Sequence, residues 1–324
     1  MPSFNQLDAH GRLRHLISLE GLPADTIHQL LDRAQTYVRR IDERPAQSHA
    51  LTGCTVANIF TEPSTRTRAS FELAARRLGA EVLNLEIQLS SRMKGETILD
   101  TIHTLQAMSM DAFVIRDAQP GVCRFVAENV APHVSVLSAG EAHLSHPTQG
   151  LLDALTIIQH KPQLGDLTLA VVGDIRHSRV ARSAHHVFTA LGIGELRIVA
   201  PDALMPESHE MPGAKRFDSI ENGIRDADVI MMLRIQKERM EQADIPDGDQ
   251  YFAQWGLTEQ RLSLAQQDVI VLHPGPMNRE IEIASSVADG KHSVIRQQVT
   301  NGVAVRMAVL ESVITTRQLA RGIA

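Results

Sequence analysis

The chain has 324 residues, which exceeds the usual size of one domain, so two domains are expected. Hydrophobic residues make up 43% and charged residues 22%, as in an ordinary globular protein, whereas aromatic residues contribute only 3%. The formal net charge of −6 argues against general attraction to nucleic acid or to acidic membranes, so neither is an expected partner.

Cysteine content and the N-terminal sequence indicate a cellular compartment. Cys54 and Cys123 lie in no CxxC pair, which predicts no disulfide framework and agrees with a reducing cytoplasm. The N-terminal residues lack the form of a signal peptide, and no apolar run is long enough to cross a bilayer. We therefore expect a cytoplasmic protein with no membrane partner.

The first part of the chain alternates between helical and strand patterns. Apolar residues from Ile27 to Ile41 follow helical spacing, with Pro23 placed in the first turn. Further on, the apolar runs predict strands at 55–60, 81–85, 112–116 and 134–137, and helices at 69–79 and 98–108. This alternation favours a doubly wound, parallel α/β sheet.

A second unit of the same kind follows. Residues 143–150 introduce a helix at 151–158, and strands are predicted at 167–174, 196–200, 229–233 and 269–272. A long amphipathic C-terminal helix, with Asn301 as its cap, is predicted to return to the first domain. We predict domains at 1–146 plus 301–324 and at 147–300, with a hinge near 146–165.

The segment Glu62-Pro63-Ser64-Thr65-Arg66-Thr67-Arg68 joins a predicted strand to a predicted helix. Backbone N–H groups at a helix start, hydroxyl groups and a guanidinium can together hold a phosphate without a metal. The alternative is an ordinary helix cap with solvated arginines. The segment alone does not decide between the two.

Basic residues follow several of the predicted strands. Ligands of doubly wound sheets bind at the carboxyl ends of the strands. The loops that follow Phe60, Ile115, Asp174, Leu233 and Leu272 carry Arg66, Arg116, Arg179, Arg234 and the sequence His273-Pro274-Gly275-Pro276. This pattern predicts a binding site for highly anionic small molecules.

Other ligand classes have little support in the sequence. It contains neither G-x-x-x-x-G-K-[ST] nor G-x-G-x-x-G, which argues against a nucleotide P-loop and a dinucleotide fingerprint. His143 and His146 have a spacing that suits a metal, but no cysteine or carboxylate pair accompanies them, so a non-metal role is favoured. We predict no metal and no cofactor. Ser64 and Ser90 lack the G-x-S-x-G frame of a nucleophile.

Several of these segments together resemble the transcarbamylase family. Ser64-Thr65-Arg66-Thr67-Arg68 with Ser70-Phe71-Glu72 is similar to its carbamoyl phosphate motif, and His146-Pro147-Thr148-Gln149 to its second signature. The aspartate branch, the aspartate carbamoyltransferases, is indicated by Lys94-Gly95-Glu96-Thr97, by Arg179-Val180, by residues 232–239 and by residues 273–279. Ornithine enzymes are expected to show His-Cys-Leu-Pro at 273–276 and to lack Lys94.

The resemblance implies transfer of a carbamoyl group from carbamoyl phosphate to L-aspartate, the committed step of pyrimidine synthesis. It makes the first domain the carbamoyl phosphate-binding domain and the second the aspartate-binding domain. The implied phosphate-binding residues are Ser64, Thr65, Arg66, Thr67, Ser90 and Lys94. Those implied at the carbamoyl group are Thr67, Arg116, His146, Gln149, Pro274 and Gly275. Those implied for aspartate are Lys94, Arg179, Arg234 and Gln236.

The resemblance also implies how the enzyme works and assembles. Arg66, Thr67, Arg116 and His146 are the implied catalytic residues, and Glu62 and Arg239 the implied pair in domain closure. The implied assembly is a homotrimer with shared active sites. Regulatory chains or a dihydroorotase as further partners are left open, as are a different amine acceptor, such as ornithine, and a non-catalytic role. Polar segments at 206–215 and 237–254 are candidate lids.

Two positions depart from the family pattern. Thr61 stands where a second aromatic residue is usual, which is expected to loosen the packing behind the phosphate loop. Glu141-Ala142 stands where Gly-Asp is usual before His146, so the approach to this histidine is expected to differ. Neither departure removes a predicted ligand group.

Overall fold

The structure is a computed structural model that describes residues 4–39, 43–85, 97–236 and 247–321, with side chains described up to residue 316. The chain divides into two compact units. Unit 1 comprises Met1–Leu152 and Thr300–Ala324, and unit 2 comprises Asp153–Val299.

Unit 1 is built on a parallel sheet. In the described part of this unit the strand order is β2-β1-β3-β4, and every neighbouring pair is parallel. The strands are β1 (Thr55–Phe60), β2 (Glu81–Leu85), β3 (Ala112–Asp117) and β4 (Ser135–Glu141). The helices are α1 (Ala24–Tyr37), α2 (Thr65–Arg77), α3 (Ile98–Ala107) and α4 (Val122–Asn129).

The core of unit 1 follows from the alternation of side chains along its strands. Ala57 and Ile59 of β1 and Phe113 and Ile115 of β3 point to one face, where they join a buried cluster with side chains of α3 and α4. Because β1 and β3 are nearly fully buried, most of their residues are apolar, as is typical of parallel strands, and Asn58 of β1 is a buried polar exception.

Unit 2 repeats this architecture. The strand order in its described part is β7-β6-β5-β8-β9, again with parallel pairs. The strands are β5 (Thr168–Val172), β6 (Glu195–Val199), β7 (Lys215–Phe217), β8 (Val229–Met232) and β9 (Ile270–Leu272). The helices are α5 (Pro147–His160), α6 (Arg179–Ala190), α7 (Ile220–Ile224), α8 (Gly248–Trp255), α9 (Glu259–Leu262), α10 (Ser285–Ala288) and α11 (Ile295–Arg321). The chain passes from unit 1 to unit 2 within α5 and returns within α11.

These observations confirm the predicted fold class of two parallel-sheet α/β units. In the described part of the chain, no helix is both long and apolar enough to cross a membrane.

Helix α2 begins and ends at identifiable signals. Ser64 is its N-cap and has non-helical backbone angles, with φ −159° and ψ 81°, so the helix starts at Thr65. At the other end Gly79 has a φ of +83°, and the N–H groups of Gly79 and Ala80 donate to carbonyls of the last turn. This is a Schellman ending, for which glycine is favoured because it adopts positive φ without strain.

Several predicted boundaries are wrong. Helix α2 starts at Thr65 rather than at residue 69, and α5 starts at Pro147 rather than at residue 151. Both helices therefore begin inside the predicted binding segments, 64–68 and 146–149, where polar residues interrupt the apolar periodicity that marks a helix. Met108 caps the end of α3 and is 60% exposed, so it does not belong to the apolar face.

Two further differences concern a strand and a cap. Strand β7 is absent from the sequence prediction, because Lys215 and Arg216 are exposed and leave little apolar signal. Asn301 is buried inside α11 and does not cap it, since the helix begins earlier, at Ile295.

Gly173 provides a test of the close packing behind strand β5. Its φ is +125°, and a Cβ atom there would lie 2.5 Å from the carbonyl oxygen of Leu233. We expect Gly173→Ala to lower the free energy of unfolding by about 3 kcal/mol, since backbone strain and a steric clash add. Urea unfolding measures this loss.

Gly192→Ala is the matched control. Gly192 also has a positive φ, +72°, but among the described residues other than its two chain neighbours no atom lies within 4 Å of the position that an added Cβ atom would occupy. This control should lose only about 1 kcal/mol, the strain of the left-handed conformation. Equal losses for the two variants would contradict the packing argument.

Candidate functional site

The predicted phosphate-binding segment of unit 1, residues 64–68, lies at the first turn of α2. The N–H group of Arg68 donates to the Ser64 carbonyl at 3.0 Å, and the N–H groups of the first helical turn precede this bond. The side chain of Ser64 makes no capping hydrogen bond, and Arg66 is exposed. Thr67 is buried. Backbone donors, hydroxyls and a guanidinium therefore lie at the positive end of a helix dipole, which suits an anion.

Arg116 lies at the carboxyl end of β3, where β1 and β4 restrain it. Its Nη1 donates to the carbonyl of Ala139 at 3.2 Å, and its Nε lies 3.2 Å from Oε2 of Glu62. The backbone N–H and the hydroxyl of Thr61 both donate to the Arg116 carbonyl, at 3.0 and 3.2 Å. Thr61, predicted to loosen this region, thus contributes one side-chain hydrogen bond, from its hydroxyl, in addition to the backbone bond that another residue at this position could also make.

Glu62 is the residue predicted to pair with Arg239 during domain closure. The structure places Glu62 against Arg116 within unit 1. Arg239, Ser90 and Lys94 lie outside the described residues, as does part of the second predicted lid, so the pairing with Arg239 stays a prediction.

His146 follows β4 through a tight turn and stands directly before α5. The Glu141 N–H group donates to the Ser145 carbonyl at 2.8 Å, and Ala142 has a φ of +43°, in the left-handed region. The N–H of Gln149 donates to the His146 carbonyl at 2.9 Å. Both predicted ligand side chains, His146 and Gln149, are largely buried.

The unusual Glu141 has a structural partner. Its Oε1 accepts a hydrogen bond of 2.6 Å from the N–H of Cys123, in the first turn of α4. Burial raises the pKa of the Cys123 thiol well above its usual range, and the negative charge of Glu141 adds to this effect. Cys123 is therefore a protonated core residue and unsuited to act as a nucleophile.

The strand pairing of unit 1 brings the predicted residues to one edge of the sheet. Phe60 of β1 pairs with Arg116 of β3, and Asp117 of β3 pairs with Glu141 of β4. Because these strands are parallel, their carboxyl ends lie side by side. Arg66, Arg116 and His146 all follow or occupy these ends.

In unit 2 a buried carboxylate joins the loops after β5 and β8. Asp174 is fully buried, and its Oδ1 accepts hydrogen bonds from the backbone N–H and the Nδ1 of His177, at 3.2 and 2.9 Å. Its Oδ2 accepts the backbone N–H of Gln236 at 3.1 Å, and the Gln236 side chain donates to the His177 carbonyl at 3.0 Å. The loop that leads to Arg179 is thereby fixed to the loop that contains Arg234 and Gln236.

Arg179 is the first residue of α6. The hydroxyl of Ser178 accepts the Ala181 N–H at 3.2 Å and so caps the helix directly before it. Arg179 is 7% exposed, whereas Arg234 is partly buried. The two guanidinium groups follow β5 and β8, which are paired neighbours in the sheet.

The loop after β9 rests on a second buried network. Nδ1 of His273 accepts the Gly275 N–H at 2.9 Å, so Nε2 carries the proton and donates to Oε1 of Glu282 at 3.2 Å. Glu282 also accepts the Asn278 N–H, and Gln298 accepts the His273 N–H at 2.9 Å. This network supports the backbone at Pro274, whose carbonyl is a predicted ligand.

Sequence reasoning missed the supporting residues. Asp174 stands out in the sequence only as part of a Gly-Asp pair; its position directly after a buried strand is the available signal. Glu282 and Gln298 give none, because their role depends on contacts between distant segments. Among the described residues, no group of three His, Cys, Asp or Glu side chains is arranged to hold a metal ion.

Comparisons with known proteins agree on one family. Residues 14–159 match the family model described as aspartate/ornithine carbamoyltransferase, carbamoyl-P binding domain, and residues 165–313 match the Asp/Orn binding domain of the same family.

Solved structures of similar fold include aspartate transcarbamoylase from Trypanosoma cruzi. Its complex with carbamoyl aspartate and phosphate is 31% identical, with a TM-score of 0.82 over 97% of this chain and 100% of that chain. Its complex with N-(phosphonacetyl)-L-aspartic acid is 30% identical, with a TM-score of 0.81 over 95% and 98% of the two chains. Ornithine carbamoyltransferase from Pyrococcus furiosus is 27% identical, with a TM-score of 0.82 over 93% and 97%. The chain therefore belongs to the aspartate/ornithine carbamoyltransferase family of enzymes.

Proposed function

We propose that this protein transfers the carbamoyl group of carbamoyl phosphate to the amine of L-aspartate, giving N-carbamoyl-L-aspartate and phosphate, in the committed step of pyrimidine synthesis. The amine nitrogen forms a bond to the carbamoyl carbon, and the bond from this carbon to the phosphate oxygen breaks. The proton of the amine leaves with the departing phosphate. Support comes from the motifs and from the Trypanosoma cruzi relative, whose structure was solved in complex with carbamoyl aspartate and phosphate.

In this proposal unit 1 binds carbamoyl phosphate. The first turn of α2 holds the phosphate through Ser64, Thr65, Arg66 and Thr67, assisted by Ser90 and Lys94. Thr67, Arg116 and His146 donate to the carbonyl oxygen, which gains negative charge as the amine attacks. Gln149 and the carbonyl of Pro274 or Gly275 orient the carbamoyl NH₂ group.

The observation that carries the choice of aspartate is the Asp174 network in unit 2. It fixes Gln236 and the loop leading to Arg179 at neighbouring strand ends. Arg179 and Arg234 offer two planar guanidinium forks, which match the two carboxylates of aspartate better than lysines would. Ornithine would bring a second ammonium group toward the same cations.

No protein nucleophile takes part in this mechanism. The enzyme binds two reactants in the correct orientation and stabilises the charge that develops on the carbonyl oxygen. His146 serves as a neutral hydrogen-bond donor. We also propose a cytoplasmic homotrimer in which Ser90 and Lys94 reach the site of a neighbouring subunit.

An acceptor panel tests the function. The purified chain, without added metal, is assayed with carbamoyl phosphate and, in turn, aspartate, ornithine and N-acetylated amino acids. Carbamoylation of aspartate alone is expected. Preference for ornithine would favour the alternative acceptor, and no turnover with any acceptor would favour a non-catalytic homologue.

His146→Ala is expected to reduce kcat by on the order of 10²–10³, because one donor to the developing oxyanion is lost. The KM values should change much less. Steady-state kinetics with both substrates measure the effect. An unchanged kcat would contradict the assigned role.

Arg234→Ala is expected to raise the KM for aspartate by about a hundredfold or more, since a charge-assisted contact of about 3 kcal/mol is removed. The KM for carbamoyl phosphate should stay near the wild-type value. Arg225→Ala, at an exposed arginine of the same unit, is the matched control and should leave both KM values unchanged. Equal effects of the two substitutions would contradict a specific role for Arg234.

Mixing two inactive variants tests the shared site. Arg66→Ala and Lys94→Ala chains, exchanged into hybrid trimers, should recover part of the activity because some sites then contain both native residues. Size-exclusion chromatography and mass spectrometry verify the exchange. Exchanged trimers without recovered activity would refute shared sites.

A further inference from the structure

A chain of polar side chains connects the sheet of unit 1 to helix α2. Nδ2 of Asn58, in β1, donates to Oδ1 of Asn84, in β2, at 2.8 Å. Nδ2 of Asn84 then donates to Oε2 of Glu72, in α2, at 2.9 Å. Asn58 and Asn84 are direct neighbours in the register of the two parallel strands.

The direction of this chain is set by its carboxylate end. An ionised carboxylate only accepts hydrogen bonds, so Asn84 must present its NH₂ group to Glu72. Its oxygen therefore faces Asn58 and accepts from the Asn58 NH₂ group. Oδ1 of Asn58 is left buried, with no hydrogen-bond donor in the part of the chain that the structure describes. Asn58 is 1% exposed.

An unpaired buried carbonyl destabilises a fold, and an apolar residue would suit this strand position better. The neighbouring positions of β1 are apolar and equally buried. A buried polar residue that departs from the apolar pattern of a core strand is expected at positions that serve function. We therefore expect this function to involve helix α2, which the hydrogen bonds from Asn58 through Asn84 to Glu72 connect to the sheet.

Glu72, a partly exposed residue, is the acceptor on that helix, and Asn84 is exposed. Hydrogen bonds from Asn84 and Arg76, with the charge of Arg68 nearby, hold the pKa of Glu72 below its usual range, so it remains an ionised acceptor. Its other oxygen, Oε1, accepts Nε of Arg76 at 3.0 Å. The carboxylate is thus bound both to its own helix and to the sheet.

Helix α2 also contacts the unit 1 core through buried apolar side chains, including Phe71, Ala74 and Ala75, and at its far end the Arg77 carbonyl accepts the Ser48 N–H at 2.7 Å. Apolar burial is non-directional and does not fix the position of a helix along its axis. The hydrogen bond from Ser48 is directional but acts on the last turn of α2, whereas the one from Asn84 acts on Glu72, closer to the first turn. The first turn of the same helix bears the predicted phosphate ligands, whose binding requires accurate placement.

We propose that the Asn58–Asn84–Glu72 chain positions the first turn of α2 for binding the phosphate of carbamoyl phosphate. The three side chains act through the helix and touch no substrate. This inference rests on the function proposed above.

Substitutions at the two partners of the Asn84–Glu72 bond test the proposal. Asn84→Ala and Glu72→Ala are each expected to raise the KM for carbamoyl phosphate about tenfold, while kcat and the KM for aspartate change less than about twofold. The double variant should show no further increase, since both substitutions remove the same bond. Glu72→Gln retains an acceptor oxygen and should stay within about twofold of wild type.

Asn58→Val separates positioning from stability. It removes the unpaired carbonyl and should raise the urea midpoint of unfolding, yet it also releases Asn84 and should raise the KM for carbamoyl phosphate several-fold. A purely structural role predicts no change in this KM. Asn129→Ala is the control and should leave both quantities unchanged, because Asn129 is an exposed residue of α4 whose side chain donates to the Phe125 carbonyl of its own helix.

The outcomes distinguish this inference from the proposed function. If the wild-type chain carbamoylates aspartate but Asn84→Ala and Asn58→Val keep the wild-type KM, the positioning role is overturned. If the wild-type chain does not carbamoylate aspartate, the proposed function fails. Titration calorimetry with inorganic phosphate then decides the inference: about tenfold weaker binding by Asn84→Ala supports it, and unchanged affinity overturns it.

Discussion

Parallel strand pairing is the constraint on which the account of both units depends. In a parallel sheet every strand ends at the same edge, so residues that are far apart in sequence become neighbours without any special contact between them. The pairing of Phe60 with Arg116, and of Asp117 with Glu141, produces this result in unit 1. The pairing of β5 with β8 and of β8 with β9 does so in unit 2.

Hydrogen bonds of polar side chains then hold the loops and the helix that lie next to these strand ends. Asp174 in unit 2 links two loops through hydrogen bonds from His177 and Gln236, and Glu282 supports the loop at His273. In unit 1 the Asn58–Asn84–Glu72 chain links α2 to the sheet. These groups support the loops and the helix that carry the residues proposed to bind the substrates.

Sequence patterns predict the helices and strands better than they predict the polar residues that support the loops. The predicted bounds of β1 are correct because the strand is a mostly apolar run between polar segments. The predicted start of α2 is wrong because Thr65 to Arg68 show no apolar period, and only backbone geometry at Ser64 reveals the cap. The role of Glu282 is not predicted from the sequence because it depends on a contact with His273 that forms only in the folded chain. Local periodicity carries information about elements, whereas hydrogen bonds between loops depend on the tertiary fold.

The central proposal is that Arg66 of unit 1 binds the phosphate of carbamoyl phosphate and that Arg234 of unit 2 binds a carboxylate of aspartate. N-(phosphonacetyl)-L-aspartic acid, bound in one Trypanosoma cruzi relative, joins a phosphonate and an aspartate in one molecule. Titration calorimetry should measure its Kd for the wild-type chain, for Arg66→Ala in unit 1 and for Arg234→Ala in unit 2. The account predicts that each substitution weakens binding at least about tenfold, or about 1.4 kcal/mol. Unchanged affinity in either variant would contradict it.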